Sequence, residues 1–410
     1  MKNRASGSAA DPTGEAASVE PTRCPHCAQA IVSGFYTVKN VPVHSCLLMR
    51  TRQEALGYPT GDLDLGVCPA CGFIANTAFD FADEHYSPLY EETQGFSGRF
   101  NAFLSAVARR LIDRYGIRRK RILEIGCGKG VFLCLLCDLG DNQGIGIDPG
   151  CVPGRIPARS ADRVTIIPDL YSDKYAHLAA DVICCRHTLE HIPQTGAFLR
   201  WVRKAIGDRK DVLVFFEVPD TLRVLREGAF WDAYYEHCSY FTPGSLARGF
   251  RASGFAIEEL YLDYDRQYIL LTAHPADGPT PPQLAMEEDL AETRRAVEDF
   301  RRKVKKTIQA WRELVLTRHG HNQRGVLWGS GSKAVAFLTT LGLNREIETV
   351  VDINPYRQGR FMPATGQRII APRELAGCRP DYVIAMNPVY RQEIQRDLDR
   401  MGLQPELLAV

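Results

Sequence analysis

Short apolar runs separated by turns recur through the middle of the chain. Residues 122–125, 144–148, 164–167 and 181–185 are each mostly apolar and too short to form a helix. Such runs predict strands that are buried on both faces, as in a parallel sheet. Residues 131–139, directly after the first run, carry a longer apolar stretch that predicts a helix. The alternation of strand and helix predicts an α/β fold built on a Rossmann-like sheet.

Further patterns extend this core in both directions. Residues 211–217 predict a fifth strand, and residues 101–115 predict an amphipathic helix ahead of the first strand. Together these elements predict a complete α/β domain before residue 275. The apolar face of the amphipathic helix is formed by Phe103, Leu104, Val107, Leu111 and Ile112.

A second α/β unit follows a proline-rich stretch. Four prolines within residues 275–282 predict a linker, and residues 284–318 predict a long helix with one apolar stripe. Residues 324–328, 335–341 and 349–352 then predict a strand, a helix and a strand. The stripe could form a coiled-coil seam between two copies or pack within one chain, so a monomer and a homodimer both remain open. Its members are Leu290, Val297, Phe300, Val304, Ile308, Trp311 and Val315.

The turn after the first strand indicates a cofactor site. Its three glycines let the backbone approach a ligand closely, and the helix that follows offers free N–H groups. A dinucleotide fingerprint needs glycine or alanine at position 131, where this chain has Val131. The pattern acid-x-Gly-x-Gly-x-Gly, formed by Glu124, Gly126, Gly128 and Gly130, resembles motif I of the class I S-adenosylmethionine (SAM) methyltransferases.

This resemblance continues through the next strands. An acid at the end of the second strand can accept both ribose hydroxyls, as the corresponding acid does in dinucleotide folds. In the family, an acid and an apolar residue after the third strand flank adenine, and the segment at residues 186–193 resembles the motif after the fourth strand. The resemblance implies that SAM is bound by Glu124, Gly126, Cys127, Gly128, Asp148, Pro149, Asp169, Leu170 and His187.

The C-terminal unit has a glycine turn of its own at residues 329–334. Its Gly-x-Gly-x-x-Ala pattern, with Asp352 about 20 residues later, is a fair dinucleotide fingerprint and taken alone suggests NAD. A glycine turn also serves close helix–strand packing, and no separate hydride-transfer residues accompany it, so we expect no nicotinamide binding. The turn could instead receive a substrate phosphate. Arg357 and Arg360 either pair with anionic groups or are solvated surface residues.

Two C-x-x-C knuckles near the N-terminus predict a metal site. Cys24 and Cys27 form the first knuckle, and Cys68 and Cys71 form the second. Four thiolates at this spacing can hold one tetrahedral Zn²⁺ and leave no open position for catalysis. A redox pair would need only one knuckle, so we predict a structural zinc. The nearby donors expected to remain uncoordinated are His26, His44 and Cys46.

Charge and composition narrow the functional class. The 410 residues carry 50 basic and 49 acidic side chains, which gives no electrostatic case for nucleic acid or a membrane and favours a small-molecule substrate. The chain shows no apolar run long enough to span a bilayer and no signal-peptide core, and its 13 cysteines suit a reducing compartment. We therefore predict a cytoplasmic protein. Residues 1–21 lack a periodic apolar pattern and are expected to be a disordered leader.

A cluster of aromatic and titratable residues follows the fifth strand. Residues 230–242 place Glu236 and His237 next to Tyr234 and further aromatic side chains. An adjacent carboxylate and imidazole among aromatic rings can hold a ligand and move protons. Open α/β sheets bind ligands beyond the carboxyl ends of their strands, which favours a functional segment over a purely structural aromatic hairpin.

The order of these modules resembles the three-domain sugar C-methyltransferase family, which includes enzymes that methylate carbon 3 of TDP-linked 4-keto-deoxysugars. The resemblance covers about residues 24–410, and it implies an antiparallel strand pair at residues 261–265 and 267–273. It also implies that a proton is removed beside a ketone and that the resulting enolate receives the SAM methyl group. The catalytic residues carried over are His237 as the base, with Glu236, Tyr234 and His191 beside it, and Tyr86 or Tyr90 from a lid.

Two departures from the family pattern keep other functions open. Tyr235 stands where the deoxysugar enzymes usually carry another histidine, and the lid sequence at residues 90–95 differs from theirs. An O- or N-methyltransferase of another small molecule is therefore the alternative enzyme. A SAM- and zinc-binding partner protein without catalysis is the alternative from another class. The pair of Glu236 and His237 favours an enzyme, because a binding module would not need it.

The sequence thus predicts an N-terminal zinc-binding module, a class I SAM-methyltransferase domain and a C-terminal α/β Rossmann-like domain. The expected boundaries are 1–21 for the leader, 22–78 for the zinc module, 79–275 for the methyltransferase domain, 276–318 for the linker and long helix, and 319–410 for the C-terminal domain.

Overall fold

The computed structural model describes residues 23–29, 32–80, 89–152 and 154–410. The predicted leader and Tyr86 lie outside these residues. Within the described ranges the strands form three sheets. The strands are β1 (Val32–Pro42), β2 (Thr60–Val67), β3 (Ile74–Asn76), β4 (Arg121–Ile125), β5 (Gln143–Ile147), β6 (Val164–Ile167), β7 (Val182–Arg186), β8 (Leu213–Pro219), β9 (Ser239–Tyr240), β10 (Phe255–Asp263), β11 (Tyr268–Pro275), β12 (Gly325–Trp328), β13 (Thr349–Val351), β14 (Arg368–Ile370), β15 (Tyr382–Ala385) and β16 (Glu406–Ala409).

The α-helices connect and cover these sheets. None of the helices in the described ranges is both long and apolar enough to cross a membrane. The helices are α1 (Arg52–Leu56), α2 (Gly98–Tyr115), α3 (Val131–Gly140), α4 (Thr195–Ile206), α5 (Thr221–Glu227), α6 (Pro243–Ala252), α7 (Leu290–Gly320), α8 (Ser332–Leu341), α9 (Leu375–Cys378) and α10 (Arg391–Arg400).

The central sheet has seven strands in the order β10-β11-β8-β7-β4-β5-β6. The strands from β6 to β8 pair in parallel, whereas β11 runs antiparallel to β8 and β10 antiparallel to β11. The chain reverses direction across the sheet between β4 and β7, which is where open α/β sheets bind ligands. The predicted α/β fold with its parallel core and closing antiparallel pair is confirmed.

The first strand of that closing pair ends earlier than predicted. It spans Phe255–Asp263 rather than 261–265, because Tyr264, Asp265 and Arg266 adopt left-handed backbone angles, with φ of 52°, 57° and 59°. Such angles interrupt a strand and form the turn into β11.

The N-terminal module is an antiparallel sheet in the order β1-β2-β3-β9. Its last strand comes from the aromatic segment after β8, and Ile74 in β3 pairs with Tyr240 in β9. The predicted zinc module and the aromatic segment at residues 230–242 are therefore joined by backbone hydrogen bonds.

The C-terminal unit is a five-stranded parallel sheet in the order β14-β13-β12-β15-β16. The long helix α7 leads into it and lays its apolar stripe on a core shared with β1, α5 and α8. In this stripe Val297, Phe300, Val304 and Val315 are buried. The stripe thus packs within the chain, and the helix begins at Leu290 rather than at 284.

Candidate active site

A cavity of about 990 Å³ lies at the carboxyl ends of the parallel strands in the central sheet. Its walls come from the glycine turn after β4, the aromatic segment before β9 and the glycine turn after β12. Its size is in the range of small-molecule sites. One chamber therefore joins the predicted cofactor residues, the aromatic cluster and the C-terminal unit.

The turn after β4 follows a path that only glycine takes without strain. Gly126, Gly128 and Gly130 have φ values of 69°, 54° and 73°. A Cβ on Gly126 would collide with the side chain of Thr188, and one on Gly128 would lie 2.5 Å from Glu92 Oε1. The backbone angles therefore favour glycine at all three positions, and the space beside Gly126 also excludes a side chain.

Glu124 carries an unsatisfied oxygen at this turn. The residue is 2% exposed and lines the cavity, and its Oε2 has no hydrogen-bond partner among the described residues. Burial raises the pKa of this carboxyl to about 8, against the opposing effect of Arg186. A buried oxygen of this kind is costly unless a ligand supplies a donor. The ammonium group of SAM meets that requirement, so the site fits the predicted cofactor.

Asp148 lies directly after β5 and faces the same turn. Its Oδ2 accepts a hydrogen bond from the amide of Gly128 at 2.8 Å, and its Oδ1 accepts one from the amide of Gly150 at 2.6 Å. Pro149 and Cys127 line the cavity beside it. A carboxylate oxygen has a second lone pair, so Asp148 can also accept from ribose hydroxyls.

Asp169 and Leu170 also line the cavity. Asp169 pairs with Lys174 and accepts a hydrogen bond from the hydroxyl of Tyr175 at 2.5 Å. These hydrogen bonds, that of Lys174 first, lower the pKa of Asp169 to about 2. Leu170 is 52% exposed. Its apolar side chain is therefore available to pack against a ligand ring such as adenine.

The sequence interpretation missed a buried ion pair behind His187. Arg186 Nε and Nη2 donate to the two carboxylate oxygens of Glu217 at 3.0 and 2.7 Å, and His187 Nε2 lies 2.8 Å from Glu217 Oε1. Burial would raise the pKa of Glu217, but Arg186 and His187 hold it at about 2. Burial would lower the pKa of His187, but Glu190 and Glu217 raise it to about 9. The sequence did contain a signal for this ion pair, because Arg186 directly follows one predicted strand and Glu217 ends another, and these two strands, β7 and β8, pair in the sheet.

His237, the predicted base, is buried and lines the cavity. Its ring centroid lies 4.7 Å from that of His191, with the rings perpendicular, and 4.2 Å from that of Tyr234. Burial lowers the pKa of His237 well below its ordinary value, and the nearby His191 and His187 add to this effect. A neutral imidazole has a lone pair that can accept a proton. The structure thus brings His237, His191 and Tyr234 together on the cavity wall.

Glu236 does not hydrogen-bond to His237 in the described structure. Residues 235–236 form a turn, which sends these neighbouring side chains to different sites. Burial alone would raise the pKa of Glu236, but hydrogen bonding from His44 holds it below its ordinary value. The prediction that Glu236 directly supports His237 is therefore corrected, and Glu236 instead joins three parts of the chain. Its partners are Tyr90 Oη at 3.0 Å, His44 Nδ1 at 3.2 Å, Ser45 N at 3.3 Å and Ser332 Oγ at 3.5 Å.

Tyr90 is the described member of the predicted lid pair, and it lines the cavity. Its hydroxyl donates to Glu236, and its carbonyl accepts a hydrogen bond at 2.7 Å from the buried ammonium of Lys129. Lys129 also donates to the carbonyl of Gly150 at 2.6 Å. Lys129, which the sequence interpretation did not single out, therefore ties the lid to the glycine turn.

The four predicted zinc ligands converge in the N-terminal module. The sulfurs of Cys24, Cys27, Cys68 and Cys71 all lie within 4.8 Å of one another. Cys24 and Cys71 are 3.8 Å apart, and Cys27 and Cys68 are 3.6 Å apart. A tetrahedron with Zn–S bonds of about 2.3 Å has edges of roughly 3.8 Å. The donor type and spacing therefore fit Zn²⁺.

The histidine inside the first knuckle connects this module to the central domain. His26 Nδ1 lies 2.9 Å from Thr195 Oγ1, and its Nε2 lies 2.9 Å from the carbonyl oxygen of Ser245. The ring also stacks on Phe73. Both ring nitrogens thus have hydrogen-bond partners on the central domain.

His44 and Cys46, the other two spare donors, lie away from the knuckles. His44 contacts Glu236, and the sulfur of Cys46 lies 3.4 Å from Ser332 Oγ. These contacts join the N-terminal module to the aromatic segment and to α8.

Tyr235, which departs from the family pattern, faces away from the cavity. It is 1% exposed, its hydroxyl accepts a hydrogen bond from the amide of Asp80 at 2.9 Å, and its ring packs on Phe79. A Cβ on Gly61 would collide with this ring. The substitution therefore alters the packing of the N-terminal module rather than the lining of the chamber.

The second glycine turn borders the cavity and also contacts a buried arginine. Arg357 is buried, and its Nη1 donates to the carbonyl of Ser330 at 2.8 Å while its Nη2 donates to the carbonyl of Glu91. The alternative that Arg357 is a solvated surface residue is wrong. Arg360 is half-buried.

Comparison with protein families matches two parts of the chain. Residues 100–260 match the family described as a methyltransferase domain, and residues 279–404 match the family described as a C-methyltransferase C-terminal domain. The first match contains the glycine turn and His237, and the second contains the C-terminal unit.

Similar proteins and structures include further methyltransferases. The C-methyltransferase NovU of Streptomyces niveus is 25% identical over 364 residues, which cover 85% of each chain. The ubiquinone biosynthesis O-methyltransferase of Aeromonas salmonicida (strain A449) is 25% identical over 159 residues, which cover 35% of this chain and 66% of that protein. The structure of 1,6-didemethyltoxoflavin-N1-methyltransferase from Burkholderia thailandensis is 19% identical, with a TM-score of 0.34, over 43% of this chain and 79% of that one. The structure of magnesium protoporphyrin IX methyltransferase from Synechocystis PCC 6803 is 17% identical, with a TM-score of 0.34, over 43% and 84%.

Proposed function

Since this chain belongs to the SAM-dependent C-methyltransferases, we propose that it methylates an acidic carbon beside a ketone in a keto-sugar nucleotide or a similar small molecule. The main support for this proposal is the position of His237. Its buried imidazole lines the same chamber as the glycine turn after β4. SAM supplies an already activated methyl group when bound. What a carbon acceptor lacks is deprotonation, which a placed base provides.

The chemistry begins with proton transfer to His237. A ring nitrogen of His237 takes the proton from the carbon beside the ketone, and the C–H electron pair moves into the C–C bond as the carbonyl oxygen becomes an enolate. Tyr234 and His191, whose rings contact His237, would donate hydrogen bonds to that oxygen. The enolate carbon would then form a bond to the methyl group while the S–CH3 bond of SAM breaks, and the electron pair of that bond would stay on the sulfur of the departing S-adenosylhomocysteine.

Glu236 acts as a positioning residue in this proposal. Its carboxylate accepts a hydrogen bond from the hydroxyl of Tyr90 at 3.0 Å and lies 3.2 Å from His44 Nδ1. A buried carboxylate with several donors stabilises one arrangement of all the groups that contact it. Glu236 thereby holds Tyr90 against the chamber, and a loss of this contact should affect catalysis through the lid.

The cofactor side is assigned to the residues that the motif predicts. Glu124 would receive the ammonium group, Asp148 the ribose hydroxyls, and Asp169 with Leu170 the adenine ring. The methionine part would lie along Gly126 and Gly128, with the remaining predicted residues around it. The unpartnered oxygen of Glu124 supports this orientation. The other residues that complete the assigned wall are Cys127, Pro149 and His187.

The Cys₄ cluster is proposed to hold one structural Zn²⁺. Four cysteine ligands saturate a tetrahedral ion, so this metal would stabilise the module and take no part in the reaction. Protein prepared with zinc should contain one equivalent per chain, and Cys68→Ser should lose it, as measured by metal analysis. Cys378→Ser, at a half-buried thiol in the C-terminal unit, is the matched control. Zinc retained in full by Cys68→Ser would refute the assignment.

The acceptor's anionic part is proposed to lie toward the C-terminal unit. Lys333 follows the second glycine turn, lines the cavity and pairs with Asp232. Its ammonium would be available to a phosphate in the chamber. A nucleotide-linked acceptor would then extend from His237 to Lys333.

An O-methyltransferase is the second candidate, because the Aeromonas protein aligns with this chain. That alignment is confined to 35% of the chain, whereas the C-methyltransferase C-terminal match covers residues 279–404. The C-methyltransferase NovU aligns over 85% of the chain, and this longer alignment favours carbon as the acceptor atom.

The deciding experiment incubates the pure protein with SAM and a panel of keto-sugar nucleotides. A mass gain of one methyl group, located on carbon by NMR, is the expected result. A product methylated on oxygen or nitrogen would move the second candidate ahead. His237→Ala should lower turnover by about 10² to 10⁴-fold while SAM affinity stays nearly unchanged.

A further inference from the structure

Three metal-binding side chains meet on the cavity wall, apart from the Cys₄ cluster. Glu190 and His191 lie on a short helical turn, Leu189–His191, after β7, and His237 comes from the aromatic segment. One donor atom from each lies within 4.8 Å of the other two, and all three residues line the cavity. Two imidazoles and one carboxylate are a ligand set that binds Zn²⁺ and similar divalent transition metals.

One atom of this set indicates that a ligand is missing. Glu190 is 2% exposed, and its Oε2 has no hydrogen-bond partner within the described ranges. Its other oxygen lies 3.5 Å from His187 Nδ1, a long contact. A buried carboxylate oxygen left in this state costs free energy that a bound cation would recover.

The surroundings allow a cation without requiring a change of fold. Lys333 on the C-terminal side is half-buried and paired with Asp232, and Glu217 offsets the charge of His187, whose Nε2 lies 2.8 Å from Glu217 Oε1. The cavity leaves space beyond the three donors for a fourth ligand, such as water. Three protein ligands with an open fourth position are typical of exchangeable zinc sites rather than structural ones.

We infer that Glu190, His191 and His237 form a second, reversible site for Zn²⁺-like divalent cations, and that its occupation inhibits the enzyme. The inhibitory part rests on the proposed role of His237, because an imidazole whose lone pair binds a metal cannot accept the acceptor's proton. The cation would compete with the methyl acceptor for this wall and leave the glycine turn accessible to SAM.

Cobalt provides a direct test of the binding step. The experiment uses full-length protein with its Cys₄ site loaded with zinc and free metal removed, titrated with Co²⁺ without SAM or acceptor. We expect one further equivalent with visible bands of nitrogen and oxygen ligation and no thiolate charge-transfer band. Glu190→Gln and His191→Gln should each weaken this binding by at least about 10- to 100-fold.

The controls separate this site from others. His177→Gln changes an exposed histidine bonded to the carbonyl of Lys174, and it should bind Co²⁺ like the wild type. Calorimetry with S-adenosylhomocysteine checks that each variant is folded. Absence of a second equivalent at millimolar Co²⁺, or unchanged binding in both the Glu190 and His191 variants, would refute the site.

Inhibition is tested separately. Micromolar Zn²⁺ should lower turnover competitively with the acceptor and not with SAM, and a mild chelator should restore it. Cobalt binding with unchanged or increased turnover would refute the inhibitory role. Because the spectra are recorded without substrates, a failure of His237 as the base leaves the metal measurement interpretable, and a failure of metal binding leaves the proposed function standing.

Discussion

The chain contains two glycine turns with nearly the same backbone connections. The amide of Gly126 donates to the carbonyl of Ile147 at 2.8 Å, and the amide of Gly329 donates to that of Val351 at 2.8 Å. An acid follows the neighbouring strand in both units. Asp148 accepts the amide of Gly128 at 2.8 Å, and Asp352 accepts the amide of Ser330 at 2.9 Å. Backbone and acid alone do not distinguish the two turns.

The side chains around the turns do distinguish them. Two residues before the first glycine, the N-terminal turn has Glu124 with an unpartnered oxygen, and the C-terminal turn has the apolar Leu327. Arg357 then binds the carbonyl of Ser330 from inside the second turn. Both turns border the cavity, but the first has a buried oxygen without a partner, whereas Arg357 connects the second to Glu91. We therefore expect the cofactor at the first turn, beside the unsatisfied oxygen of Glu124.

Among the tests of this comparison, the largest difference is expected when one methyl group is added to each turn by a glycine-to-alanine change. Gly126→Ala forces a side chain onto a residue with φ of 69° and against Thr188, whereas Gly331→Ala adds a methyl at φ of −78° with Arg357 Nη1 3.9 Å away. Strain of about 1–3 kcal/mol at the first site corresponds to roughly 5- to 150-fold weaker SAM binding. Calorimetry should find Gly331→Ala within about twofold of the wild type. Equal losses in both variants would contradict the assignment of separate roles.

Removing the guanidinium of Arg357 tests whether the second turn mainly stabilises the contact between two parts of the protein. Arg357→Ala leaves the carbonyls of Ser330 and Glu91 without this donor. Losing buried, charge-assisted hydrogen bonds should lower the free energy of unfolding by about 1.5–3 kcal/mol while SAM affinity is unchanged. Denaturant unfolding provides the measurement, and Arg360→Ala, at a half-buried position, should stay within about 0.5 kcal/mol. Saturable micromolar NAD binding to the wild-type protein would contradict the expectation that neither turn binds a nicotinamide cofactor.

A smaller effect should appear in the pH dependence of SAM binding. The pKa of Glu124 is raised to about 8, so in the free protein this carboxyl is mostly protonated at pH 7. Binding a cation beside it favours the ionised form, so affinity should rise by up to about tenfold per pH unit below pH 8 and level off above it. Glu124→Gln should lose this slope, while titration of SAM itself affects both proteins equally. Parallel pH profiles would show that Glu124 does not contact the cofactor's charge.

Features set by local chemistry were predictable from the sequence. Apolar runs predicted the parallel strands, and the glycine spacing predicted the turn between β4 and α3. The two knuckles predicted four cysteines that do converge. Each of these depends on residues that are close in sequence or on a repeated spacing, which a pattern can express.

Features set by long-range contacts were not predictable. The partners of Glu236 lie 191 or more residues before it in His44 and Ser45, and 96 residues after it in Ser332. The turn at residues 235–236 decides that Tyr235 and Glu236 leave the chamber that Tyr234 and His237 line. No periodicity specifies such a turn, so adjacency in sequence suggested a Glu236–His237 partnership that the fold does not form.

Hydrogen exchange on the acceptor tests the central claim most directly. A keto-sugar nucleotide that the enzyme methylates is incubated in deuterated buffer with enzyme and S-adenosylhomocysteine, which cannot donate a methyl group. The wild type should exchange the proton on the carbon beside the ketone, as followed by NMR, and His237→Ala should slow this exchange by about 10² to 10⁴-fold. Exchange by His237→Ala at the wild-type rate, or methyl transfer without any exchangeable carbon proton, would contradict base-generated enolate chemistry at His237.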